Sequence, residues 1–243
     1  MKILLMGHGH LGQILTNKAS DIHFVASHRG NSFGGSNVKL FNFQINDKFP
    51  NFLLDESFDY VVWNFPPREG YGETLKAFDD QLDSSIPWIF VSSTSVYLDG
   101  KCSESSPKEG NTQNAKMLIA IENELKEMKR EVCILYPGGL IDEKRNPAIY
   151  ISNSVESQGC LSPVNVIYTP DVADFILDIF KKKIPLSDYN LVMNAHPTKQ
   201  EFYSEMIKKL DLSMPKWKKE NSINKIILNH SYSDLSFLMD KMQ

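Results

Sequence analysis

The chain opens Met1-Lys2-Ile3-Leu4-Leu5-Met6-Gly7-His8-Gly9-His10-Leu11-Gly12, and this stretch decides the fold. Residues 3–6 are a short, unbroken apolar run of the kind that forms a strand buried on both faces. The glycine-rich segment from Gly7 to Gly12 stops that run, and residues 13–18 follow as a helix start. A buried strand, a glycine turn and a helix, in that order, form the pattern of a dinucleotide-binding βαβ unit. Gly7 lets the chain turn off the strand. Gly9 has no Cβ, so the main chain can approach a diphosphate. Gly12 lets the helix lie close to the sheet. The unpaired amides at the helix start, with His10 and Leu11 among them, meet the anion at the positive end of the helix dipole.

Residues 23–27 read as the second strand, and its end selects the cofactor. An acidic residue there would accept hydrogen bonds from the adenosine ribose hydroxyls. This chain carries Ser27-His28-Arg29 instead. Arg29 cannot accept a hydrogen bond but can pair with a 2′-phosphate, with Ser27 as a second contact. NADP(H) is therefore favoured over NAD(H). The alternative is that Arg29 is a solvated loop residue.

The bulk composition narrows the class. The 243 residues are 42% hydrophobic and 23% charged, ordinary for a globular domain. A formal net charge of −4 argues against a general nucleic-acid partner. Cys102, Cys133 and Cys160 are too few and too scattered for a disulfide framework and read as reduced thiols. The six histidines have no metal-ligand spacing, so no metal is expected. The apolar run behind Lys2 is too short for a signal peptide, and no stretch is long enough to span a bilayer. Together these predict a cytoplasmic protein acting on a small molecule, without a membrane partner.

Further along, strands are expected at 38–43, 59–65 and 88–93, with helices at 49–57 and 74–84. Asn31 to Gly35 reads as a loop. Pro66-Pro67 cannot continue a ladder, so Asn64, Phe65 and Pro66 stand just beyond a strand's carboxyl end, where ligands of doubly wound sheets bind. Asp171, after Pro170, reads as the cap of a helix over 172–182, which ends on Lys181-Lys182-Lys183. Helices are expected at 199–210 and 233–242.

After strand 88–93 comes Thr94-Ser95-Val96-Tyr97. This segment resembles the strand end of the extended short-chain dehydrogenase/reductases, the NAD-dependent epimerase/dehydratase group, in its atypical members. Residues 114–122, Cys133 to Leu140, Val166 to Ala173, Tyr189 to Leu191 and His196 to Phe202 resemble later family segments in the same order. The resemblance covers almost the whole chain. It implies an α/β fold, a Rossmann-type doubly wound parallel sheet with a small C-terminal substrate lobe. Residues 1–140 would be the NAD(P)-binding domain, and 141–243 the remaining strands plus the lobe. A homodimer is implied by the same analogy.

The family's serine, which orients the substrate, falls at Ser93. Its Tyr-x-x-x-Lys pair falls on Thr112 and Lys116, so the lysine is present and the tyrosine is a threonine. Lys116 would meet the nicotinamide ribose, and Tyr136, Pro137 and Gly138 would be further cofactor contacts. A threonine hydroxyl is far too weak an acid to replace a phenol. Tyr97, Tyr71 and Tyr136 are the phenols that could stand in. Lys144 and Arg145 are candidate partners for a substrate diphosphate. Two functions stay open: an NAD(P)-dependent oxidoreductase or epimerase-like enzyme on a sugar nucleotide or other small carbonyl or hydroxyl compound, or a non-catalytic NADP(H)-binding sensor.

Overall fold

The computed structural model describes residues 1–30 and 34–229. In chain order the elements are β1 (Lys2–Met6), α1 (His10–Lys18), β2 (His23–His28), β3 (Val38–Asn42), β4 (Tyr60–Trp63), α2 (Tyr71–Asp79) and β5 (Trp88–Val91). Next come β6 (Gly100–Cys102), α3 (Gln113–Glu127), β7 (Val132–Pro137), β8 (Gly139–Ile141), α4 (Pro147–Ser152) and β9 (Glu156–Ser157). The chain continues through β10 (Val166–Tyr168), α5 (Thr169–Phe180), β11 (Tyr189–Leu191), α6 (Lys199–Lys209), β12 (Lys216–Trp217) and β13 (Lys225–Ile227).

Seven of these strands form one parallel sheet in the order β11-β7-β5-β4-β1-β2-β3. Helices cover both of its faces, which is the doubly wound α/β architecture. The apolar run of β1 is central because it is buried on both sides. Leu4 and Met6 join the core under α2 and α3, and Ile3 and Leu5 join the core under α1 and α5. Order reverses between β1 and β4, so the cleft opens at the carboxyl ends of these two strands.

A small lobe is built beside the sheet from the pairs β8–β10 and β9–β12 with α4 and α6. It has its own core, in which Ile141, Ala148, Val166, Phe202, Met206 and Ile207 pack together. Strand β13 pairs with β6, and Lys225 Nζ donates to the Tyr97 carbonyl at 3.0 Å. All three cysteines are free and buried. Among the described residues no helix is long and apolar enough to cross a membrane.

Several expectations move. Helix α2 begins at Tyr71 and ends at Asp79, not over 74–84. Gly70, at φ +81°, turns the chain directly into it. At the far end Arg130 captures the turn that the periodicity had continued. Its enclosed guanidinium donates to the carbonyls of Asp79, Leu82, Asp83 and Ile86, pairs with the Asp79 carboxylate and stacks 4.2 Å over Trp88. The helix expected at 49–57 is a 3₁₀ turn, Asn51–Asp55. Asp171 is not a cap: α5 starts at Thr169 with Pro170 in its first turn, where the fixed proline φ suits a helix start, and Asp171 follows inside that turn. The loop at 31–35 lies partly outside the described residues, and the helix at 233–242 lies wholly outside them.

Arg130→Ala should strip these carbonyls of their donor and lower the unfolding free energy by about 2–4 kcal/mol, as removal of a buried charged donor does. Urea denaturation checks this; a loss below about 1 kcal/mol would contradict the role given to the guanidinium.

Candidate functional site

The glycine turn is fixed by its two neighbours in the sheet. Gly7 has φ +113°, and a Cβ there would lie 2.7 Å from the Asn64 carbonyl oxygen. Asn64 Nδ2 donates to the Gly7 carbonyl at 3.1 Å, and the Gly7 amide donates to Ser27 Oγ at 2.8 Å. Ser27 is fully buried, and by accepting this amide its hydroxyl braces the turn. A Cβ on Gly12 would come within 2.7 Å of the Gly7 carbonyl oxygen, which is why α1 can lie so close. Gly9 differs from both: nothing stands within 4 Å of where its Cβ would be. Helix α1 has Gly9 as N-cap and no side chain capping it, so its first amides are left for an anion.

These amides border a cavity of about 550 Å³. The glycine turn contributes Gly9, His10 and Leu11, and Arg29 comes from beyond β2. The end of β4 adds Asn64, Phe65 and Pro66. Ser92 and Ser93 follow β5, and Pro137 and Gly138 close β7. A smaller adjoining cavity, about 260 Å³, is lined by Gly7, His8, Ser27, His28 and Arg29. His8 is buried against Thr16 Oγ1 at 3.1 Å, and burial, then the nearness of His28, lowers its pKa. A nicotinamide dinucleotide fits these residues: an open Cβ direction at Gly9, uncapped amides, and Arg29 lining both cavities.

The dehydrogenase-type pair expected on α3 is not at this cavity. Thr112 is the N-cap of α3, its Oγ1 accepting from the Ala115 amide at 3.2 Å. Lys116 is exposed on the outer face of the helix. The α3 residue that lines the cavity is Leu118.

The three candidate phenols are also committed. Tyr71 is buried, and burial raises its pKa. Tyr97 is buried, donates to Asn190 Oδ1 at 2.8 Å and has its pKa raised, chiefly by burial. Tyr136 donates to Glu122 Oε2 at 3.1 Å, and burial again raises its pKa. The Lys108 ammonium stands 4.4 Å over the Tyr97 ring and 4.7 Å over that of Tyr136, and burial lowers its pKa. Glu122 also accepts from Ser92 Oγ, so a buried polar network lies directly behind the cavity wall. Glu122 was legible in principle, because it shares the buried stripe of Leu118, Ile121 and Leu125 on α3.

On the lobe side, Arg145 lines the cavity and Lys144 does not. Asp142, in the same loop as Lys144 and Arg145, is 3% exposed and lies with Oδ2 2.5 Å from His10 Nε2. No sequence signal pointed to that pairing. Among the described residues no three His, Cys, Asp or Glu side chains gather as a metal set.

One solved structure similar over almost the whole chain is the Bordetella bronchiseptica enzyme WbmH, in complex with NAD+, with a TM-score of 0.82, 12% identity, and coverage of 99% of this chain and 95% of that one. The fold is that of the NAD-dependent epimerase/dehydratases. A second example is the dTDP-glucose 4,6-dehydratase of Bacillus anthracis in complex with NAD, with a TM-score of 0.77, 14% identity, and coverage of 100% and 96%. By sequence the chain is 29% identical to protein YeeZ of Escherichia coli (strain K12) over 171 residues, 66% of this chain and 62% of YeeZ. The match therefore spans under two thirds of that relative. No family model matches the chain.

Burial pushes the Glu122 carboxyl above the ordinary glutamate value of 4.5, against the hydrogen bonds from Ser92 and Tyr136. A raised carboxyl contributes stability that is complete below 4.5 and is lost as pH rises through the raised value. Glu122→Gln keeps the shape and stays neutral. Its melting temperature should gain on the wild type between about pH 4 and about pH 8; an unchanging difference would contradict this.

Proposed function

We propose that the cleft binds NADP(H) and serves an oxidoreductase or epimerase-like reaction on a small carbonyl or hydroxyl compound, a sugar nucleotide among the candidates. The observation that carries this is the open Cβ direction of Gly9 beside the uncapped amides of α1. The diphosphate would lie on these amides, with Gly7 and Gly12 setting their position. Arg29 would pair with the adenosine 2′-phosphate, in the absence of an acid that would select the unphosphorylated ribose. Asn64, Phe65 and Pro66 would border the middle of the cofactor, and Pro137 and Gly138 its nicotinamide end. The nicotinamide, when bound, supplies or accepts a hydride. Ser93 would offer its hydroxyl to the substrate oxygen, and Leu118 keeps water from that wall.

A second reading is favoured by one specific observation: Thr112 caps a helix and Lys116 faces solvent, where the resemblance expects a proton-transfer pair. In that reading the chain is a sensor that binds NADP(H) without turnover. Redox-discriminating binding with no reaction on any carbonyl compound would be its mark.

Calorimetric titration should find NADPH bound more tightly than NADH. Arg29→Ala should erase about 10–100-fold of that preference, the worth of one charged contact to a phosphate. Equal affinities in the wild type would remove the NADP assignment. Gly9→Ala should change stability by less than about 1 kcal/mol, since its methyl meets open space, yet weaken NADPH at least about tenfold. Unchanged affinity would move the diphosphate away from this turn.

A further inference from the structure

The cavity that Ser93 lines also holds a titratable ring, His10, the first residue of α1. Its Nε2 is 2.5 Å from Asp142 Oδ2. Asp142 is buried, and its Oδ1 accepts the amides of Lys144 and Arg145, each at 3.0 Å. Burial pushes this carboxyl up, but hydrogen bonds from Thr169 and His10 and the Arg145 amide outweigh it and hold it below the ordinary range. It is an anion in a fixed place. A carboxylate can only accept, so it draws the proton of the neutral imidazole to Nε2 and leaves the lone pair on Nδ1. Nδ1 has no protein partner among the described residues. The other charged side chains on this cavity are Arg29 and Arg145.

We propose that His10 is the proton carrier of the cleft, with Asp142 as its positioning residue. The inference rests on the reading of the cleft as an NADP(H) site. It supplies the function that Thr112 and Lys116 do not. As a secondary alcohol gives up a hydride to the oxidised nicotinamide, its hydroxyl proton passes to His10 Nδ1, leaving a ketone and an imidazolium. The reverse sequence returns that proton to the alkoxide oxygen as NADPH reduces the carbonyl. A histidine oriented by a carboxylate is a general base suited to neutral pH.

Two measurements test this. Nitrogen NMR of labelled histidine, without substrate, should find His10 as the Nε2–H tautomer in the wild type and lose that bias in Asp142→Ala. A wild-type Nδ1–H tautomer would overturn the proposal. Loss of NADPH absorbance is then followed with para-nitrobenzaldehyde, diacetyl and glyceraldehyde as carbonyl probes. His10→Gln, which can keep the hydrogen bond to Asp142, should lower kcat at least about 100-fold while NADPH affinity stays within about threefold. Asp142→Ala should lower kcat about tenfold and alter its pH profile, and Asp142→Glu should restore part of both. Full kcat in His10→Gln overturns the proposal, as does a wild type that binds NADPH but turns over none of the probes. Failure to bind NADPH at all overturns the cofactor reading together with it.

Discussion

The close approach of the first turn to the end of β4 is the constraint on which the rest of the structure depends. Gly7 sits at a positive φ with its α-carbon against the Asn64 carbonyl, and Asn64 returns a hydrogen bond to the Gly7 carbonyl. Ser27 holds the same turn from the β2 side. Three adjacent strands thus meet at one point, and α1 leaves from it. Because Gly12 lets α1 touch that turn, the helix amides are held at a set height above the sheet. Both adjoining cavities and the lobe side of the cleft are arranged around these amides.

What was legible in the chain follows from how local each signal is. The glycine turn and the two-faced burial of β1 depend on neighbours a few residues away, and both are found where the pattern places them. The residues beyond β2, β4, β5 and β7 line the cavity because strand ends in this topology converge on one edge. Helix ends were less legible. Arg130 ends α2 from some fifty positions away in sequence, and no periodicity within 74–84 carries that information. The pairing of Asp142 with His10 is hidden for the same reason, since it joins residues 132 positions apart.

The region behind the cavity shows how a missing residue type is accommodated. The resemblance expects a phenol and an ammonium facing the cleft from α3. This chain puts an apolar Leu118 there and keeps Tyr97 and Tyr136 inside, in a network with Ser92, Glu122, Asn190 and Lys108. Each phenol there is held in its neutral form by burial. Such a network fixes the relative position of β5, β7 and α3, and through Ser92 it bears on the wall of the cleft itself.

The lobe's separate core carries one more consequence. Ile141, Ala148, Val166, Phe202, Met206 and Ile207 pack chiefly among themselves, and the strands that join them are two or three residues long. The lobe can therefore be recut, by drift or by grafting, with little disturbance to the seven-stranded sheet, provided that Asp142 keeps its place against His10.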